Sequence, residues 1–243
     1  MNNNRFMSSS NAQATQIDLG LRSYMLGVYN HMTTALAITG FFALGLSFLA
    51  GPSLNELTQI GYAVYGSPLK WLIMLAPIGM VFYISARINS ISAEKARNLF
   101  YIYAGLMGLS LSSLLLVYTG ASVVRVFFIT AAAFASLSIF GYTTKKSLSG
   151  LGSFLMMGVF GILIASIVNI FLGSDGLAFI ISILGVLIIA GLTAYDTQKI
   201  KNMYLVGDNN ETSGKKSVMG ALTLYLDFIL MFQFLLMFLG NRE

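Results

Sequence analysis

Seven apolar stretches, each close to the length a helix needs to cross a bilayer, leave this chain few ways to fold. They cover residues 24–50, 71–88, 99–118, 122–142, 151–172, 177–198 and 217–239, near the roughly 20 residues that a spanning helix requires. A helix satisfies its backbone N–H and C=O groups internally, as hydrocarbon demands. Barrel strands are shorter and alternate in polarity, and these runs do neither. Charged residues are 9% of the chain, against roughly 25% in soluble domains, which is too few to coat a soluble surface. That excludes a soluble enzyme, a coiled coil and a disordered chain. The expected fold is all-α: a polytopic membrane protein with seven transmembrane helices over residues 21–243, preceded by a tail.

The tail, residues 1–20, reads MNNNRFMSSSNAQATQIDLG. It is polar and low in complexity, without the apolar core of a signal peptide, and is expected to be disordered. The first apolar stretch starts semi-polar (Tyr24, Asn30, His31), so part of it is expected at the interface. Pro77 inside the second predicts a kink. Gly105 with Gly108, Gly158 with Gly161, and Ala190 with Ala194 are small residues at near-helical spacing, which lets backbones approach. The absence of cysteine removes disulfides, thiolate catalysis and Cys-based metal sites.

The basic residues orient the chain. Arg5, Arg22, Arg87, Lys95, Arg97, Lys145, Lys146, Lys199, Lys201, Lys215 and Lys216 fall on the side shared by the tail and the loops after the second, fourth and sixth stretches. Only Lys70, Arg125 and Arg242 fall on the other. Lys and Arg concentrate on the cytoplasmic side, so the N-terminus is expected in the cytoplasm and the C-terminus outside. The net charge of +5 is then an orientation signal and implies no nucleic acid.

Ionisable groups within spans are costly and point to function. Asp227 lies ten residues into the seventh stretch, about 15 Å deep at 1.5 Å per residue. Asp196 lies in the sixth, three residues before Lys199, and Arg87 is near the cytoplasmic end of the second. Arg125 is expected to snorkel to headgroups, and His31 to serve as a hydrogen-bonding residue, since no second histidine exists to form a metal site with it. Two close carboxylates in a low-dielectric site cannot both ionise cheaply. With one Arg beside them the local charge is −1 when both are ionised and zero when a proton is shared, which makes a pH sensor. The ionised pair is also a hard oxygen site suited to Ca²⁺. Counting from the span ends sets Asp227 deeper than Asp196, so direct pairing requires the seventh span to start deeper or the sixth to dip.

Catalytic patterns are missing. There is no H-E-x-x-H, no G-x-S-x-G, no late-span histidine for a serine dyad, and no mid-span lysine for a retinal Schiff base. Paired-aspartate intramembrane proteases have Tyr-Asp on one span, as Tyr195-Asp196 here, but Gly-x-Gly-Asp on the next, where this chain has Leu224-Tyr225-Leu226-Asp227. No enzyme activity and no resident cofactor is expected.

The segment GLTAYDTQKIKNMY (191–204) resembles the signature of the Bax inhibitor-1 family, the transmembrane Bax inhibitor motif proteins. ALTLYLDFIL (221–230), GYTTKKSLS (141–149), VYNHMTTALAITG (28–40) and SARINSISAEKARNLFYIYAGLMGLSLS (85–112) extend the likeness over about residues 21–240, closest in style to bacterial members. The chain departs from the family pattern at Leu230, Met237 and Ser147. The resemblance implies seven spans with the last helix central, wrapped by the other six. It implies a pH-dependent Ca²⁺ leak, gated near the cytoplasmic side by an aspartate pair matching Asp196 and Asp227, with Arg87 matching the arginine that bonds to the pair. It also implies the bacterial inner membrane as location. Some bacterial relatives are linked to a membrane-bound AAA protease, so the alternative is a non-conducting regulator that binds such a protease or another membrane partner, with the Asn- and Ser-rich tail as its handle.

Overall fold

Apolar side chains on every face of a helix, joined by short polar loops, give a bundle whose outer faces are as apolar as its interior. The computed structural model describes the backbone of residues 3–241 and the side chains of residues 19–241. The tail of residues 1–20, apart from its last two residues, falls on side chains outside that described set. In chain order the helices are α1 (Asn3–Ala50), α2 (Gln59–Tyr65), α3 (Leu69–Arg87), α4 (Ala93–Leu111), α5 (Gly120–Thr143), α6 (Ser149–Leu172), α7 (Asp175–Asn202) and α8 (Asn210–Leu239). A 3-10 turn, Ser112–Leu116, extends α4. All but the seven-residue α2 are long and apolar enough to span a membrane, α1 through its Leu19–Ala50 part. The expected all-α, seven-span architecture is thus the observed one, and the chain is an integral membrane protein.

Local chemistry sets the helix ends. Ser92, Thr119, Ser174 and Asn209 each accept a backbone N–H of the first turn of α4, α5, α7 and α8, satisfying donors that hydrocarbon cannot. Gly173 closes α6 with a left-handed φ of 59°, a conformation glycine adopts without steric cost. Pro77 is accommodated inside α3, which runs unbroken past it.

The last helix is the most enclosed. Half of the spanning window of α8 is buried, against 11% for α3 and α6. It packs on α1, α4, α5 and α7, while α3 sits outside on α4 and α6 outside on α7. The centre is therefore a five-helix group, with two helices applied to its flanks, rather than one helix ringed evenly by six. Phe100 and Tyr103 of α4 and Tyr225 of α8 are wholly buried and meet edge-on at 5.6–5.7 Å between ring centroids across the α4–α8 seam.

Small residues set the closest approaches, at positions that only partly coincide with the spaced pairs in the sequence. A Cβ on Gly108 would collide with the Thr39 carbonyl of α1, and one on Gly141 with the Ala194 carbonyl of α7. Gly158 faces Ile188, whereas Gly161 faces open space. The loops with the basic residues gather at one end. There Glu211 accepts the Ala93 N–H at 2.8 Å, and Gln198 bonds the segment between α5 and α6. At the opposite end the Thr119 N–H donates to the Asn241 carbonyl at 3.0 Å.

Gly141→Val is expected to push α5 from α7 and to destabilise the fold by about 1–3 kcal/mol, the usual cost of overpacking. Gly161→Ala is expected to be near neutral. Unfolding in detergent micelles measures both.

Candidate functional site

The seating of α7 on α8 brings the two span aspartates together. The helices are antiparallel, with Gly220 against Ile200 and Gly185 against Phe234. In that register Asp196 is level with residues 223–224, and Asp227 stands one turn further in, about 5 Å at 1.5 Å per residue. The depth mismatch expected from counting shrinks to that one turn because α8 begins at Asn210, before its apolar stretch, and so overhangs the end of α7 at Asn202. The seventh span does not start deeper: its helix begins further out than the end of α7, and the register of α7 on α8 leaves the two aspartates one turn apart.

Asp227 is 5% exposed, and its Oδ2 has no hydrogen-bond partner. The charged group that acts on it is Asp196, on which Lys199 acts in turn. Asp196 is half-buried and Lys199 exposed, so the pair runs from the bundle interior toward the basic end. Among the described residues no third carboxylate or histidine joins it.

Arg87 is not brought to this pair. It is exposed at the end of α3 and forms no ion pair among the described residues. The reason lies in the packing: α3 is a flanking helix seated on α4. His31 is bonded through Nδ1 to the Tyr101 hydroxyl at 2.9 Å, the hydrogen-bonding role expected of it. Arg125 is exposed, and its guanidinium donates to the Leu239 carbonyl at 3.1 Å, closing the C-terminal end of α8 where cations are favoured.

The residues around Asp196 form a polar joint that the sequence reading did not assign. Gln198 is buried. Its Oε1 accepts the Leu148 N–H at 2.7 Å and its Nε2 donates to the Lys146 carbonyl at 2.9 Å, so one side chain clamps the segment between α5 and α6. Thr197 bonds Ser138 of α5 at 3.0 Å, and Ser138 bonds Tyr29 of α1 at 2.6 Å. A chain of hydroxyls thus crosses three helices and ends beside Asp196. The Tyr195 ring occupies the space left by Gly152, and Lys199 lies 5.9 Å over it. Every residue of Tyr195-Asp196-Thr197-Gln198 therefore has a separate partner. The polar run itself, set within an apolar helix, was the signal that pointed here.

Interhelical hydrogen bonds of this kind average about 0.6 kcal/mol and reach about 1.7 in membrane proteins. A double-mutant cycle of Tyr29→Phe and Ser138→Ala, read by unfolding in detergent, is expected to return a coupling in that range. A coupling of zero would mean that the two hydroxyls do not hold α1 to α5.

Known proteins are similar to this chain over most of its length. The family model described as inhibitor of apoptosis-promoting Bax1 matches residues 21–243. An uncharacterized protein of Rickettsia prowazekii is 45% identical over 226 residues, covering 93% of this chain and 92% of the relative. The inner membrane protein YbhL of Escherichia coli K12 is 42% identical over 230 residues, covering 92% of this chain and 94% of the relative. An uncharacterized protein of Deinococcus radiodurans is 40% identical over 223 residues, covering 92% of each chain. With a match over the whole membrane-spanning region and relatives at this identity, the chain belongs to the Bax inhibitor-1 family.

Proposed function

We propose that this protein is a pH-sensitive Ca²⁺ leak channel in which Asp196 and Asp227 form the gate and part of the ion pathway. The observation that carries the reading is the orphan Oδ2 of Asp227, buried in the central helix beside a second carboxylate. An aspartate at the centre of a spanning helix costs about 2.5–3.5 kcal/mol. With Arg87 exposed at the end of α3 and away from the pair, a proton or a cation is left to compensate the charge. Two carboxylates supply few of the six to eight oxygens a Ca²⁺ ion takes, so the pair holds the ion weakly. Weak holding suits conduction, which requires an ion to leave as readily as it enters. A proton shared by the pair halves its charge from −2 to −1 and weakens its attraction for the cation, and this couples flux to pH.

On this reading the N-terminus and the basic loops face the cytoplasm. The protein resides in the bacterial inner membrane, as the name of its relative YbhL says of that protein. Proteoliposomes loaded with a Ca²⁺ indicator test the reading. Flux is expected to differ between mildly acidic and mildly alkaline buffer. Asp227→Asn and Asp196→Asn, neutral at every pH, are each expected to bring the ratio of the two fluxes close to one. Deleting residues 1–18 is expected to leave the flux intact. A pH profile unchanged in both aspartate variants would overturn the gate assignment, and absence of flux from the intact chain would overturn the channel.

A further inference from the structure

A long groove opens sideways between α1 and α5, with a volume of about 1070 Å³. Its walls are low because small residues line them: Ala37 and Gly40 on α1, Ala131 and Ala135 on α5. A Cβ added to Gly40 would meet nothing within 4 Å. Phe228 of the central helix forms the floor, and the groove runs along α5 from Phe127 to Tyr142. That is about 22 Å at 1.5 Å per residue, more than half of a hydrocarbon core roughly 30 Å thick. The lining is almost wholly apolar, and the side toward the membrane is open, with Phe41 74% exposed.

The polar end of the groove carries positive charge. Arg22 lines it directly. Lys201 sits 5.0 Å over the ring of Tyr142, a lining residue, and donates to the Tyr142 carbonyl at 2.7 Å. Among the described residues neither cation is held in a salt bridge. An apolar trough with two cations at one mouth, in a protein that spans a bilayer, matches a molecule with an acyl tail and an anionic head. A partner helix would need polar or small residues against the groove but no anion at this mouth.

We propose that the α1–α5 groove is a binding site for an anionic phospholipid of the surrounding bilayer, its acyl chain laid over Phe228 and its phosphate held by Arg22 and Lys201. The site is separate from the aspartate pair and does not depend on how that pair works. The hydroxyl bridge from Tyr29 to Ser138 ties the two walls at the charged end and keeps the trough from collapsing.

The absence of cysteine makes a direct test simple. A fluorophore on Ala135→Cys reports from within the groove, and one on Ile164→Cys reports from an exposed face of α6. The full chain is reconstituted in phosphatidylcholine vesicles with a small fraction of brominated phosphatidylglycerol or of brominated phosphatidylcholine. At Ala135→Cys the anionic lipid is expected to quench at much lower fractions than the zwitterionic one, by about fivefold for each cation near the headgroup. Arg22→Gln is expected to lose about one such factor, Arg22→Lys to retain it, and Arg22→Gln with Lys201→Gln to lose the preference. Ile164→Cys is expected to show none. Equal quenching by both lipids at Ala135→Cys would mean ordinary lipid contact and overturn the proposal. So would a preference that survives loss of both cations, or no quenching at all, which would mean that another helix or a second copy fills the groove.

Discussion

The seating of α7 on α8 governs what the rest of the bundle can do. Two contacts define it: Ile200 in the space left by Gly220, and Phe234 in the space left by Gly185. Each is a large side chain against a residue with none, so neither helix can slide without a clash or a void. Interiors packed to crystalline density resist such shifts strongly. The register fixed in this way puts Asp196 and Asp227 one turn apart. A slip of a full turn would separate them to two turns or set them level, and either would change the charge coupling on which the site rests. The small residues therefore set the geometry of the aspartate pair, although neither touches a carboxylate.

Hydrocarbon also dictates how the polar residues are used. Most span hydroxyls donate to a carbonyl one turn back in their own helix, as Thr130, Thr193 and Thr223 do. A few are shared between helices, and these concentrate near the basic end and along the seam of α1 with α4 and α8. Thr39 bonds the Tyr225 hydroxyl at 2.6 Å and the Ala104 carbonyl at 2.9 Å, so one threonine joins three helices. Asp227 lies two residues beyond Tyr225 and yet keeps an oxygen without a partner. Among the described residues it shares that state with the Tyr24 and Ser217 hydroxyls, but it alone of the three is a carboxylate oxygen, for which burial without a partner costs most.

Much of this was legible in the residues because length and charge are strong constraints in a membrane. The seven apolar stretches correspond to seven helices, and the two span aspartates do adjoin. The levels of the spans were not legible. Hydropathy registers only the apolar part of a helix, so it missed the polar first turns of α8, NETSGKK, which Asn209 caps by accepting the Thr212 N–H at 2.7 Å. It missed α2 for a similar reason, since seven residues are too short to register as a span. The chain of Tyr29, Ser138 and Thr197 was hidden by distance, because its members are 109 and 59 residues apart in sequence. Arg87 failed as a partner because residue type and depth do not tell which helix a span packs against.

The absence of Arg87 from the pair alters the charge argument in a definite direction. With an arginine present, two ionised carboxylates would leave a net −1, and fixed charge would do part of the compensating. Without it the nearest cation is Lys199, which is exposed and already lies over the Tyr195 ring. An ammonium on a flexible stem at the bundle edge is solvated and screens weakly across a turn of helix. Compensation of the buried member must then come from something mobile. A fixed arginine would make the pair a structural ion cluster, stable but closed to exchange. A carboxylate pair left without one must draw its balancing charge from outside, and the route by which that charge arrives is the property that the proposed channel function uses.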